Sequence, residues 1–381
     1  MKLLIGGSPC THWSIAQTKN RETEPEGQGW ELFDNYLIAL EKFRPDFFLY
    51  ENNKSMAPAI QAQITQKLGV EPILINSALV SAQNRQRLYW TNIPGVEQLE
   101  DLGILLRDIL ESGLPLKEKG YTLKANYANA GAVNGVCGHH FPAPMAAKPV
   151  RIGTIESNAK NADFDSQQYR VYSPDGKSVT LCGQGGGVGA KTGLYAVPYG
   201  DGFLFTNAIV PRGKTYPIYK VKDGQITMKG KQYPIKLADG FYIIRKLTVL
   251  ECKRLQTVPD SYIFPVSDTQ AYRQLGNGWT VDVIAHILSY CPGITEKPLE
   301  VLSMYDGMSC GRLALDKLGA HISHYYATEI DKYAVQTTQH NFPDTIQLGD
   351  AFQVRDDGWS LPGTDVSGGS KSAGCMKVVT S

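Results

Sequence analysis

Short apolar runs separated by stretches of helical period recur near both ends of this chain, and that rhythm constrains its fold more than any other feature. Lys2-Leu3-Leu4-Ile5, Phe47-Phe48-Leu49-Tyr50 and Pro72-Ile73-Leu74-Ile75 alternate with an amphipathic stretch from Trp30 to Phe43 and a segment ending at Leu68. The rhythm returns in Val301-Leu302-Ser303-Met304-Tyr305, Tyr325-Tyr326-Ala327-Thr328 and Thr345-Ile346-Gln347-Leu348. Strand-length apolar runs spaced by helices predict an α/β domain with a doubly wound, Rossmann-like sheet. Between the two blocks the character changes: Gly183-Gln184-Gly185-Gly186-Gly187-Val188-Gly189 is turn-rich and Tyr216 to Val221 is strand-like, which predicts a smaller, loop-rich β module. Thr248 to Gln256, stopped by Pro259, and Trp279 to Leu288, stopped by Pro292, read as helices. The expected divisions are one half of the α/β domain at 1–100, the β module at 101–240, helices returning to the first domain at 241–292, a linker at 293–300, the second half at 301–355 and a Gly/Ser-rich, flexible tail at 356–381.

At 381 residues and 42% hydrophobic content the chain is long enough to bury two cores. No apolar run approaches a membrane span and the first residues lack a secretion signal, so the reading is an intracellular, soluble protein. The seven cysteines, an odd number at 10, 137, 182, 252, 291, 310 and 375, form no Cys-x-x-Cys pair, which suits free thiols in a reducing compartment. Cys137-Gly138-His139-His140 has no second ligand pair and reads as a loop, so no metal is expected. The net charge of +1 hides an asymmetry: residues 101–240 hold 17 Lys/Arg against 11 Asp/Glu. Such a surplus is either a solvated face or the footprint of a polyanion.

In open parallel sheets, ligands gather beyond the carboxyl ends of the strands. Cys10 follows the first apolar run at a Gly/Pro turn, Gly6-Gly7-Ser8-Pro9-Cys10, and Glu51-Asn52-Asn53 ends another run. A thiolate and a carboxyl on neighbouring strand ends can act on opposite edges of one planar heterocycle, the sulfur attacking carbon while the acid serves a ring nitrogen. Gln83-Asn84-Arg85-Gln86-Arg87 places Arg85 and Arg87 on one edge of an extended stretch, suited to a phosphate or carboxylate. Asp306-Gly307-Met308-Ser309-Cys310-Gly311 forms a tight loop before a helix starting near Arg312, with Glu329 and Asp350 at the next two strand ends. That set suits a nucleoside, Glu329 accepting from ribose hydroxyls and Asp350 from an amino group, although the dinucleotide fingerprint Gly-x-Gly-x-x-Gly is absent. A surface glutamate, a basic face and an ordinary strand–turn–helix are the bland readings of each feature alone.

Taken together these segments resemble the C5-cytosine DNA methyltransferase family over most of the chain outside the basic middle and the tail. Ser8-Pro9-Cys10 is similar to its nucleophile motif, Glu51-Asn52-Asn53 to its Glu-Asn-Val motif, and Gln83 to Arg87 to its Gln-x-Arg-x-Arg motif. Arg245 to Glu251 with Arg254-Leu255-Gln256 resembles the helix after its recognition region, and Gln274-Leu275-Gly276-Asn277 its Gly-Asn motif. Tyr305-Asp306-Gly307 with Ser309, Gly311, Glu329, Ile330 and Asp350 resembles its S-adenosylmethionine site, to which Asn277 is also assigned. The family starts with the cofactor loop and reaches Pro-Cys later, whereas here the cofactor strands come last, so the chain looks circularly permuted. Departures are Thr11-His12-Trp13-Ser14 after the cysteine where many members have Gln, Asn53 for Val, Ser309 for Gly and Gly278 for Ser.

The resemblance implies transfer of a methyl group from S-adenosylmethionine to C5 of a cytosine flipped out of duplex DNA. Cys10 would attack C6, Glu51 would bond N3 and the amino group, and Arg85 and Arg87 would hold the flipped nucleotide. The loop from Thr11 to Gln28 would act as a lid braced by Asn277. The middle module would be the target recognition domain, with loops such as Gln184–Lys191 reaching base edges. It further implies a monomer with no obligate protein partner, placed in the cytoplasm of a bacterial or phage-infected cell. A solitary enzyme and half of a restriction–modification pair look alike at this level. Competing readings are an RNA cytosine methyltransferase, disfavoured because no Cys-Phe-Thr element is present, a catalytically inert DNA-binding protein, and an enzyme with a cofactor donating a larger group.

Overall fold

A computed structural model describes residues 1–9, 11–14, 21–111, 148–155, 167–183, 193–199, 207–210 and 214–362. Cys10, Cys137 to His140 and the whole of the Gln184–Lys191 loop lie outside these residues, as does the tail beyond 362. The apolar runs pair into one seven-stranded sheet. Its strands are β1 (Lys2–Gly6), β2 (Phe47–Asn53), β3 (Ile73–Asn76), β4 (Gln86–Thr91), β13 (Leu299–Met304), β14 (Ile322–Thr328) and β15 (Ile346–Gly349), in the spatial order β15-β14-β13-β1-β2-β4-β3. β1 lies parallel to β13 and β2, with Leu3 opposite both Val301 and Phe47. β4 is antiparallel to both β2 and β3, so the sheet is mixed rather than wholly parallel.

Two-sided burial explains why β1 reads as an unbroken apolar run. Leu3 and Ile5 face a cluster that includes α5 (Val281–Ser289) and α6 (Cys310–Leu318), while Leu4 faces α1 (Gly27–Phe43) and α2 (Pro58–Leu68). All three are fully buried, about 1.5–3 kcal/mol each. α2 turns Ile60, Ile64 and Leu68 inward at four-residue spacing and opens on Pro58, where a missing N–H costs nothing. The sheet is therefore doubly wound, as the rhythm predicted.

The middle of the chain forms a second sheet. Its strands are β5 (Arg151–Thr154), β6 (Arg170–Tyr172), β7 (Leu194–Pro198), β8 (Asn207–Val210), β9 (Lys214–Lys222), β10 (Gln225–Met228), β11 (Lys231–Pro234) and β12 (Gly240–Arg245). They follow the order β11-β10-β9-β12-β7-β6-β5, with β8 on β9, around Ile152, Val171, Leu194, Val221, Ile226 and Ile244. Two buried cations tie this sheet to the first domain. Arg245 makes a bidentate pair with Glu251 at 2.6 and 2.7 Å, and Glu251 also closes the capping box of α3 (Val249–Leu255) with Thr248. Lys177, fully buried, donates to the carbonyls of Ala78, Ser81 and Ile104 at 2.5 to 3.1 Å, and burial pushes its pKa down.

Three expectations shift. α4 (Asp268–Asn277) is a helix the pattern does not announce, because only Ala271, Gln274, Leu275 and Gly276 of its ten residues are buried. α1 begins at Gly27 rather than Trp30, and α6 at Cys310 rather than Arg312. Asp356–Pro362, placed in the flexible tail by its composition, packs on the sheet: Leu361 is buried and Tyr326 donates to the Pro362 carbonyl at 2.7 Å.

Candidate active site

The turn after β1 lies directly against the carboxyl end of β2. A Cβ on Gly7 would stand 2.8 Å from the Glu51 carbonyl oxygen and 3.0 Å from Glu51 Oε2, so only glycine permits the approach. Ser8 is fixed there by Tyr50, whose hydroxyl is 2.7 Å from Ser8 Oγ, and by Asn52, whose Nδ2 donates to the Ser8 carbonyl at 3.2 Å. Burial pushes the Tyr50 pKa well up, keeping it a neutral hydroxyl. The chain thus reaches Pro9, next to the expected nucleophile, from a pinned base. On the far side Trp13 is fully buried and donates to Glu22 Oε2 at 2.9 Å, and Glu22 N donates to the His12 carbonyl at 2.9 Å. The described limbs of the expected Thr11–Gln28 lid are therefore anchored, and its last two residues belong to α1.

Glu51 is 8% exposed and engaged on both oxygens: Arg87 Nε is 2.9 Å from Oε1, and Trp279 Nε1 donates to Oε2 at 2.9 Å. Arg85 and Arg87 do not share one edge as expected. Arg85 precedes β4, where strand alternation does not apply, and its guanidinium is buried against three carbonyls, those of Leu181 and Gly276 at 3.4 and 3.3 Å and Gly278 at 2.9 Å. It joins the first domain, the second sheet and the end of α4. Beside Arg87 a cavity of about 440 Å³ is lined by Asn53, Lys54, Ser55, Asn84, Gln86, Arg87 and Thr180. Two cations, five neutral polar groups and no carboxylate give it the character of an anion-accepting cleft.

Asn277, assigned to the cofactor by its motif, lies instead against the second sheet's domain. A Cβ on Gly183 would fall 1.9 Å from Asn277 Oδ1, and one on Gly276 would fall 2.3 Å from the Cys182 carbonyl carbon. The Gly-Asn pair thus packs directly on the Cys182–Gly183 backbone.

The cofactor-type loop follows β13. Tyr305 and Ser309 both take left-handed backbone, φ 60 and 58, a strain of about 1–2 kcal/mol each. Their side chains turn inward rather than toward a ligand. Tyr305 donates to the Leu32 carbonyl at 2.7 Å under α1, and Ser309 bonds Asp306 and, at 3.1 Å, Thr338. Asp306 accepts from Tyr325 at 2.8 Å, and burial pushes its pKa up to about 6. Gly307 has φ 59 and open space where a Cβ would be, which leaves a cradle on the loop's outer side. Gly311 backs onto β1, where a Cβ would meet Ile5 Cδ1. Glu329 accepts from the Gly307, Ile330 and Asp331 amides at 2.8 to 2.9 Å, leaving acceptor capacity on a carboxylate that has about four sites. Asp350 caps the next turn through Phe352 N at 3.0 Å. Ile330 and Phe352 stand 75% and 36% exposed just after these two carboxylates, apolar surfaces suited to a flat base. The cradle, the acidic strand ends and the apolar flanks fit an adenosyl group.

Burial pushes the thiols of Cys310 and Cys291 up, to about 12 and about 11, and that of Cys252 further, so none of these three is an activated nucleophile. Among the described residues no His/Cys/Asp/Glu group could hold a metal ion and no helix is long and apolar enough to cross a membrane. Asn35, whose Nδ2 lies 3.4 Å from the Tyr305 hydroxyl, carries no sequence signal, and Trp279 none beyond adjacency to the Gly-Asn motif.

An α/β domain whose strand ends carry a nucleoside-type loop and a carboxylate held by Arg87 and Trp279 has the form of an enzyme that transfers a group to a planar base. The chain belongs to the C-5 cytosine-specific DNA methylase family, whose model matches residues 1–292. Membership implies S-adenosylmethionine as methyl donor and DNA as substrate. The type II methyltransferase M.HhaI of Haemophilus parahaemolyticus is 30% identical over 75% of this chain and 74% of its own. The type II methyltransferase M.SsoII of Shigella sonnei is 26% identical over 74% of this chain, which spans 62% of that protein's length. Among solved structures, the Entamoeba histolytica methyltransferase EhMeth covers 76% of both chains at 12% identity and a TM-score of 0.41, too loose a likeness to argue from.

Proposed function

We propose that this chain methylates C5 of a cytosine flipped out of a specific duplex sequence, with Cys10 as nucleophile and Glu51 as the group that activates the base. The observation that carries this reading is the Glu51 carboxylate, clamped at a strand end that the chain leading to Pro9 abuts at Gly7. Cys10 forms the S–C6 bond, Glu51 shares a proton with N3 and accepts from the exocyclic amine, and the C5=C6 electron pair moves so that C5 becomes nucleophilic. S-adenosylmethionine, when bound, supplies an electrophilic methyl group. Gly307, Glu329, Ile330 and Asp350 would hold it, while Tyr305, Asp306 and Ser309 shape the loop from inside. Loss of the C5 proton and expulsion of the Cys10 thiolate complete the reaction. Arg87 and the cleft with Lys54 suit the flipped nucleotide's phosphate, and Arg85 holds the surrounding segments in place. The second sheet, with its cationic surplus, would be the target recognition domain.

We further propose that the chain is a circular permutant of the family. The cofactor strands β13 to β15 come last in sequence, yet β13 lies beside β1, where Glu300 N donates to the Met1 carbonyl at 2.9 Å. The family model's match also stops at residue 292, before these strands. Moving 299–362 ahead of residue 1 should preserve soluble fold and activity, and an insoluble product would count against permutation.

Nucleoside mass spectrometry of unmethylated duplex DNA, incubated with S-adenosylmethionine and either the protein or Cys10→Ala, tests the main reading. New 5-methylcytosine that vanishes in the variant is the expected outcome. Methylation of RNA alone, or DNA binding without any product, would replace the reading.

A further inference from the structure

We infer that Trp279 is a positioning residue for Glu51, fixing the rotation of its carboxylate and fastening it to the cofactor loop. The inference rests on the role proposed for Glu51 above. A glutamate's terminal torsion is broad, so a single partner on one oxygen leaves the group free to swing. Arg87 occupies Oε1 and Trp279 Nε1 occupies Oε2, each at 2.9 Å, and the two contacts together select one rotation. An indole N–H can only donate, so this partner cannot reverse its role as a hydroxyl could.

Trp279 is itself held at each of its neighbours. The Gly278 carbonyl accepts from Arg85 Nη2 at 2.9 Å and from Gln256 Nε2 at 3.1 Å. Thr280 Oγ1 bonds Gln256 Oε1 at 2.9 Å and Ser77 Oγ at 2.8 Å. On its other side the segment abuts the cofactor loop: the Trp279 amide reaches the Cys310 thiol, and a Cβ on Gly278 would lie 3.1 Å from Cys310 Sγ and 3.3 Å from Met308 Sδ. One short segment thus spans from the loop that would hold the cofactor to the carboxylate that would hold the base.

The test separates base activation from methyl transfer. When a thiolate adds to C6 of cytosine, the displaced π pair lets C5 take a proton from water. Loss of the other C5 hydrogen and expulsion of the thiolate regenerate cytosine with its hydrogen exchanged, and no methyl donor is consumed. Duplex DNA deuterated at cytosine C5 is incubated with the wild type, Trp279→Phe and Trp279→His. Exchange without cofactor and single-turnover methylation with S-adenosylmethionine are measured, alongside cofactor and DNA affinities. Trp279→Phe keeps a ring and removes the N–H, so exchange and methylation should fall together by ~10–100-fold, the worth of one hydrogen bond to a charged group, with both affinities retained. Trp279→His restores a ring N–H and should recover part of the loss, and it decides the matter if the Phe variant fails to fold. Methylation lost with exchange intact would place Trp279 on the cofactor side and overturn the inference, as would no loss at all. A wild type that neither exchanges nor methylates would instead refute the proposed function.

Discussion

Replacing Asp306 by asparagine should make the protein's stability less sensitive to pH between about 4 and 7. Asp306 sits in a buried loop, and burial raises its pKa to about 6 despite hydrogen bonds from Ser309 and Tyr325. A carboxyl near 3.8 in the unfolded chain and near 6 in the fold binds more protons when folded, so stability falls as pH rises through that window and the full cost is present above about pH 6. At 1.36 kcal/mol per unit, the ionised side chain costs the fold about 3 kcal/mol at pH 7, of which about 2 kcal/mol develops above pH 4.5. Asparagine is uncharged throughout and can still meet Ser309 and Tyr325, whose hydroxyls can turn to suit it. Urea unfolding of both proteins at pH 4.5 and 7 isolates the effect, because other titrating groups cancel in the difference. Asp306→Asn should gain about 2 kcal/mol relative to wild type between the two pH values. A difference that stays flat would show that this carboxyl is solvated and would refute the reasoning.

Glu51→Gln should lower the methylation rate by about 10²–10⁴-fold, the usual worth of a positioned acid–base group, with DNA binding measured by gel shift unchanged. Arg85→Ala and Arg87→Ala should part company. Arg85→Ala removes a charged donor from three carbonyls, of which that of Gly278 keeps Gln256, and should lower stability by a few kcal/mol in urea unfolding, whereas Arg87→Ala should chiefly reduce turnover. Gly276→Ala forces a methyl into the Cys182 backbone and should cost about 1–3 kcal/mol or more, seen as a lowered melting temperature. An unchanged melting temperature would mean that the Gly276 and Cys182 backbones do not meet.

The strand order's raw material was legible because β1, β2 and β13 are buried on two faces and so read as plain apolar runs. Glu51 was legible for a related reason, since a polar residue ending such a run sits where the sheet opens to ligands. What the sequence conceals is partnership across long separations. Trp279 meets Glu51 over 228 residues, and no local period encodes that. Arg85 and Arg87 look equivalent at two-residue spacing, yet the strand starts between them at Gln86, so their side chains diverge. α4 is concealed by its polar face, and Asp356–Pro362 by a composition that reads as linker although its leucine and backbone dock on the core.

The place of β1 also carries a consequence for synthesis. It lies between β2 and β13, and almost 300 residues of chain separate it from the second of these partners. At about 5–20 residues per second a ribosome needs roughly 15 to 60 s to deliver that partner. Throughout that interval one side of an apolar central strand presents unpaired amide and carbonyl groups, a template for association with other chains. The nascent protein should therefore lean on ribosome-associated chaperones more than a chain in which the three strands emerge in succession.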